Sequence, residues 1–79
     1  MSQPNQATVA VIGLGYIGLP TAAILAHNGI DVVGVDVNHR HVDAVNSGLV
    51  PFVEPDLEAY VSRAVSQGLL SACIETPPA

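Results

Sequence analysis

Val9–Ala22 reads VAVIGLGYIGLPTA, an apolar run that passes through Gly13-Leu14-Gly15-Tyr16-Ile17-Gly18 into a helix-like pattern. Upstream, Thr8–Leu14 (TVAVIGL) is β-branched and apolar without alternation. That continuity predicts a strand covered on both faces, as in a parallel sheet layered with helices. From Ile17 to Asn28 the spacing becomes helical, with Ile17, Ile24, Leu25 and the alanines available for packing. Proline is tolerated in a first helical turn and costly further in, so Pro20 places the helix start close to Gly18. Asn28-Gly29 is its stop.

Each glycine of this G-x-G-x-x-G has a physical task in such a setting. Gly13 permits the tight turn out of the strand. Gly15, without a side chain, lets a pyrophosphate approach the backbone. Gly18 lets the helix pack closely on the sheet. Free N–H groups and the helix dipole at that end favour negative charge. The cradle therefore needs no cation, which suits a chain with no lysine and only two arginines, Arg40 and Arg63.

Ile30–Asp36 (IDVVGVD) reads as a second buried strand, ending in an acid. An Asp at that point accepts hydrogen bonds from an adenosine ribose and would repel a 2′-phosphate. The pattern thus predicts NAD rather than NADP. The plain alternative is a structural βαβ turn with an incidental Asp at a strand end.

Further on, Asn38 is placed as the N-cap of a short helix carrying Val42 and Val45 and closed by Gly48. Leu49–Glu54 form a loop containing Pro51. Pro55 fits a first helical position, and Asp56 and Glu58 lie at the positive end of that helix dipole. Leu57, Val61, Ala64 and Val65 make one apolar stripe, Gly68 closes the helix, and Leu69–Thr76 form a third short strand. The order β-α-β-α-α-β predicts a Rossmann-like α/β fold, a parallel sheet with right-handed crossovers. Residues 1–7 read as a flexible lead-in, and residues 8–79 as the N-terminal part of a dinucleotide-binding domain.

A net charge of −5 argues against a nucleic-acid partner. Gly, Pro and His interrupt every apolar run, so no membrane span is expected. The single cysteine, Cys73, leaves no internal disulfide and suits a reducing compartment, so the chain is expected to be cytoplasmic. Cys73 falls in the third strand, where a buried, inert thiol is expected. His39 and His41, two apart, would face different sides of a helix, and His27 lies on another, so no metal site is expected. Phe52 and Tyr60 read as packing residues. Hydrophobic residues make up 49% of the chain and charged ones only 11%, too few polar groups to cover a complete globule, which points to part of a larger domain.

Four segments carry a resemblance beyond the fold: IGLGYIGLPTA (Ile12–Ala22), GVDVN (Gly34–Asn38), VDAVNSG (Val42–Gly48) and PFVEPDLE (Pro51–Glu58). Over about Thr8–Ser71 the chain resembles the N-terminus of the UDP-glucose/GDP-mannose dehydrogenase family, the UDP-sugar 6-dehydrogenases, most nearly the branch acting on N-acetylhexosamine nucleotides. The resemblance implies an NAD-dependent oxidoreductase of nucleotide-sugar metabolism and polysaccharide biosynthesis. Such an enzyme oxidises the C6 alcohol of a UDP-sugar, here UDP-N-acetyl-D-mannosamine, to a carboxylate with two NAD. It further implies that Tyr16 and Ile17 contact the cofactor near the pyrophosphate and Asp36 the adenosine ribose; the basic residue that many relatives carry five positions after that Asp is His41 here, and Arg40, one position earlier, is set near the adenosine in its place. The family's catalytic residues and UDP-sugar domain lie downstream of anything present, so no catalytic residue is assigned and the chain alone is expected to be inactive. Two alternatives stay open. One is a fragment of a UDP-glucose 6-dehydrogenase or a β-hydroxyacid dehydrogenase. The other is a non-enzymatic module that binds nucleotide or self-associates through an exposed apolar flank beside the first strand.

Overall fold

The computed structural model describes residues 8–74. The expected lead-in over residues 1–7 and the end of the expected third strand, Glu75 and Thr76, lie outside them. The elements are β1 (Thr8–Ile12), α1 (Gly18–His27), β2 (Asp31–Val35), α2 (His39–Asn46), α3 (Pro55–Ser66) and β3 (Leu70–Cys73), the expected order. The three strands are parallel, in the spatial order β1-β2-β3, with Val9 opposite Val32 and Val32 opposite Leu70.

Helix ends decide why β2 is shorter than its apolar run. After α1, Gly29 takes a positive φ of 85°, its N–H reaches the Ala26 carbonyl, and the Ile30 N–H reaches that of Leu25. This closing turn satisfies the last carbonyls of the helix and consumes Ile30 before the strand begins. The same pair of bonds recurs after α2 at Gly48-Leu49 and after α3 at Gly68-Leu69.

Alternation and register put Val9, Val11, Val32, Gly34, Leu70 and Ala72 on one face of the sheet. One cluster joins Val32 and Leu70 on that face to Leu19, Ala22, Ala23 and Ala26 of α1, Val45 of α2, and Leu57, Val61 and Ala64 of α3. The small alanine stripe of α1 brings that helix close to the strands. The expected stripe on α3 is buried at Leu57, Val61 and Ala64 and half-buried at Val65.

Burial of β1 differs from expectation. Thr8, Ala10 and Ile12 are exposed, Ile12 at 70%, so this strand is covered on one face only. It lies at a sheet edge, and no described element covers its other side. The opposite edge is treated differently. At β3 the Asn46 side chain donates to the Ala72 carbonyl and accepts from the Ala72 N–H, standing in for a neighbouring strand. Cys73 is half-buried rather than fully buried.

Candidate dinucleotide site

The glycine turn is held from below and from one side. Gly13, at a φ of 90°, donates its N–H to the Val35 carbonyl at 2.7 Å, locking the turn to the end of β2. Leu14 is fully buried above Gly34, where an added Cβ would come within 2.5 Å of Leu14 Cδ2. The Leu14 N–H donates to Asp36 Oδ2 at 2.8 Å. Asp36 thus does more than stand at a strand end: it ties the turn to β2.

The Asp36 carboxylate is only 13% exposed and is well supplied with donors. The Asn38 N–H reaches Oδ1 at 2.9 Å, and His41 Nδ1 lies 3.1 Å from Oδ2. The Asn38 and Leu14 backbone bonds, then His41, hold its pKa below the ordinary Asp value against a smaller opposing effect of burial. An ionised carboxylate only accepts, so in this contact His41 donates through Nδ1. Of about four acceptor positions on a carboxylate, three are taken, which leaves one on Oδ1.

Gly18 fixes how near α1 comes to the turn: a Cβ there would lie 1.7 Å from the Gly13 carbonyl oxygen. Gly15 is the opposite case, since a Cβ would meet nothing within 4 Å. The N–H groups of Gly15, Tyr16, Ile17 and Gly18 have no acceptor among the described residues. No side chain caps α1, and its first turn carries no acid. Four unpaired donors at a helix start beside an open approach fit the pyrophosphate of a dinucleotide, since this is where backbone charge favours an anion.

Tyr16 and Ile17 flank the turn, 75% and 84% exposed. Arg40 lies exposed in the first turn of α2, its N–H bonded to the Asn38 cap, and the side chain that reaches Asp36 is its neighbour His41. The structure therefore gathers Gly13, Gly15, Gly18 and Asp36 and sets Tyr16 and Ile17 at their rim. It does not bring Arg40 onto Asp36.

Phe52, expected as packing alone, does pack against the core, and its ring also stacks on Tyr16 with centroids 4.5 Å apart. Its loop has no periodicity, so only its aromatic character could have drawn notice. Tyr60 stays partly exposed and meets His27 edge-on at 5.1 Å. A groove of about 370 Å³ between α1 and α3 is lined by Pro20, Ile24, Leu57 and Tyr60 among others and involves none of the glycine-turn residues. Among the described residues no three His, Cys, Asp or Glu side chains are grouped to hold a metal ion, and no helix is long and apolar enough to cross a membrane.

An uncapped helix start, joined through the buried Leu14 to an ionised acid after the second parallel strand, places the chain among the dinucleotide-binding α/β proteins. Its membership can be stated more closely. The chain belongs to the UDP-glucose/GDP-mannose dehydrogenase family, whose NAD binding domain matches residues 7–78. It is 54% identical over 72 residues to an NDP-N-acetyl-D-galactosaminuronic acid dehydrogenase of Ralstonia nicotianae, covering 91% of this chain and 17% of that protein. Over 66 residues it is 54% identical to the UDP-N-acetyl-D-mannosamine dehydrogenase of Escherichia coli, covering 84% of this chain and 16% of that protein. Among solved structures, the UDP-N-acetyl-mannosamine dehydrogenase of Staphylococcus aureus superposes with a TM-score of 0.84 at 40% identity, covering 92% of this chain and 18% of that one. The chain thus spans about 17% of the length of the first of these relatives.

Proposed function

We propose that this chain is the cofactor-binding portion of an NAD-dependent UDP-N-acetylhexosamine 6-dehydrogenase, whose parent oxidises the sugar C6 alcohol to a carboxylate with two NAD. The observation that carries the cofactor part is the set of unpaired N–H groups at Gly15, Tyr16, Ile17 and Gly18, at a helix start where the approach to Gly15 is open. Bound NAD supplies the hydride acceptor. This chain's residues bind and orient it: the four amides take the pyrophosphate, and the free position on Asp36 Oδ1 takes an adenosine ribose hydroxyl. Tyr16 and Ile17 border the pyrophosphate, and Arg40 stands near the adenosine. A 2′-phosphate beside an ionised Asp36 is repelled, so NAD is preferred over NADP.

Both N-acetylhexosamine relatives share 54% identity with the chain, which supports that sugar class and leaves mannosamine and galactosamine types equally near. We further propose a cytoplasmic role in making sugar acids for polysaccharides, and self-association of the isolated chain through the open flank of β1. The decisive test is an NMR titration of the chain with NAD and, separately, NADP. Amide shifts at Gly13, Gly15, Tyr16 and Gly18 with NAD alone are expected. A dispersed spectrum that ignores both cofactors would overturn the proposal.

A further inference from the structure

Two large apolar residues flank the glycine turn, and they are not held alike. Ile17 projects with no ring against it. Tyr16 is nearly as exposed, yet its ring lies on Phe52 at 4.5 Å with the planes 35° apart. Phe52 itself is half-buried and packs on the core cluster, so it is a fixed base rather than a second loose side chain. It comes from the loop between α2 and α3, preceded by Pro51, whose ring restricts the backbone there. The Tyr16 hydroxyl makes no hydrogen bond among the described residues, which leaves it a donor and acceptor for a ligand.

An exposed tyrosine with no neighbour samples several staggered rotamers, and binding must then select one. A ring stacked on an anchored partner has already made that selection. We propose that Phe52 is a positioning residue for the dinucleotide: it holds the Tyr16 ring beside the glycine turn, so that the loop between α2 and α3 forms one wall of the cofactor site. This rests on the NAD reading and deepens it, for it assigns part of the site to a segment outside the βαβ unit. Aromatic pairs change an equilibrium constant by a factor of roughly two to twelve, and that is the size of effect at stake.

The test is a double-mutant cycle of Phe52→Leu and Tyr16→Leu, with NAD affinity read by calorimetry and the Tyr16 ring protons by NMR. In the free wild-type chain the Tyr16 ring protons are shifted upfield by the Phe52 ring. Phe52→Tyr retains the shift and the affinity. Phe52→Leu loses the shift and weakens NAD about fivefold, yet has no further effect once Tyr16 is Leu. Phe52→Ile, which keeps apolar bulk against the core, repeats the measurement in a second shape. An equal loss from Phe52→Leu in both Tyr16 backgrounds would show a merely structural role and overturn the proposal. So would unchanged affinity in Phe52→Leu while the wild type binds. A wild-type chain that shows the ring shift and binds no NAD overturns the cofactor reading, and the positioning role with it. The wild-type titration separates that failure from the other two.

Discussion

Gly15 and Gly18 stand three residues apart in one turn, and the structure gives their alanine variants opposite consequences. At Gly18 the new Cβ would lie 1.7 Å from the Gly13 oxygen, where contacts under 3.0 Å essentially never occur, so α1 must retreat by about 1.3 Å, the difference between the two. The obstacle cannot swing aside, because Gly13 is backbone and its N–H is tied to Val35. Overpacking costs about 1–3 kcal/mol, and a rigid neighbour puts Gly18→Ala near the top of that range. Better helix propensity offsets less than about 1 kcal/mol. The net loss of about 2 kcal/mol is large for a domain of this size, whose total stability is of order 4–12 kcal/mol. With a urea slope near 1 kcal/mol/M, it lowers the unfolding midpoint by about 2 M. At Gly15 the new methyl meets nothing within 4 Å and φ is not positive, so no fold penalty follows. Less freedom in the unfolded chain even stabilises Gly15→Ala by about 0.4–1 kcal/mol. Its cost falls on the ligand: the methyl fills the approach to the amides, and losing one charge-assisted bond of about 1.5–3 kcal/mol weakens NAD roughly tenfold to a hundredfold. Urea melts followed by circular dichroism, paired with NAD calorimetry, read both effects. A Gly15→Ala variant that unfolds as early as Gly18→Ala, or binds NAD like wild type, would refute the division of labour between the two glycines.

Three further outcomes follow from the same geometry. Asp36→Asn offers an amide where two backbone donors, from Leu14 and Asn38, need acceptors on different oxygens. One donor is left unpaired, so urea melts should show a loss of about 1–3 kcal/mol, with weakened NAD binding in calorimetry. The Asp36 carboxyl is held below its ordinary pKa in the fold, so its stabilising contribution is complete above the ordinary Asp range and drains away as pH falls through the lowered value. Wild-type urea midpoints should therefore carry an acid-limb component that Asp36→Asn lacks, and identical limbs would refute it. Ile12→Lys places a charge on the open flank of β1, where the side chain is 70% exposed. Sedimentation should show less self-association at unchanged stability, and an unaltered association constant would move the contact elsewhere.

What the sequence made legible was whatever the backbone demands of one residue at a time. Gly13 and the Gly29 helix stop are glycine because their backbone takes a positive φ, and Gly18 because the close approach of α1 leaves no room for a Cβ; those demands are written locally. The acid after β2 was legible for the same reason, since strand length sets its place. Which side chain reaches that acid was not. Arg40 and His41 are adjacent, and the choice between them depends on the phase of α2, which is set where Asn38 caps the Arg40 N–H and leaves His41 facing Asp36. The exposure of β1 was equally hidden. An apolar strand reads the same whether one face or both are covered, and only the placement of the helices on the sheet separates the two. Tyr16 and Phe52 lie in segments far apart in the chain, one in a turn and one in a loop, and neither has a period that could announce a partner. Their contact exists because the core positions α1 and the α2–α3 connection against the same sheet face. A dinucleotide site whose phosphate cradle is local in sequence therefore acquires part of its rim only through the packing of α3, and variants that loosen α3 should weaken the cofactor without touching a glycine.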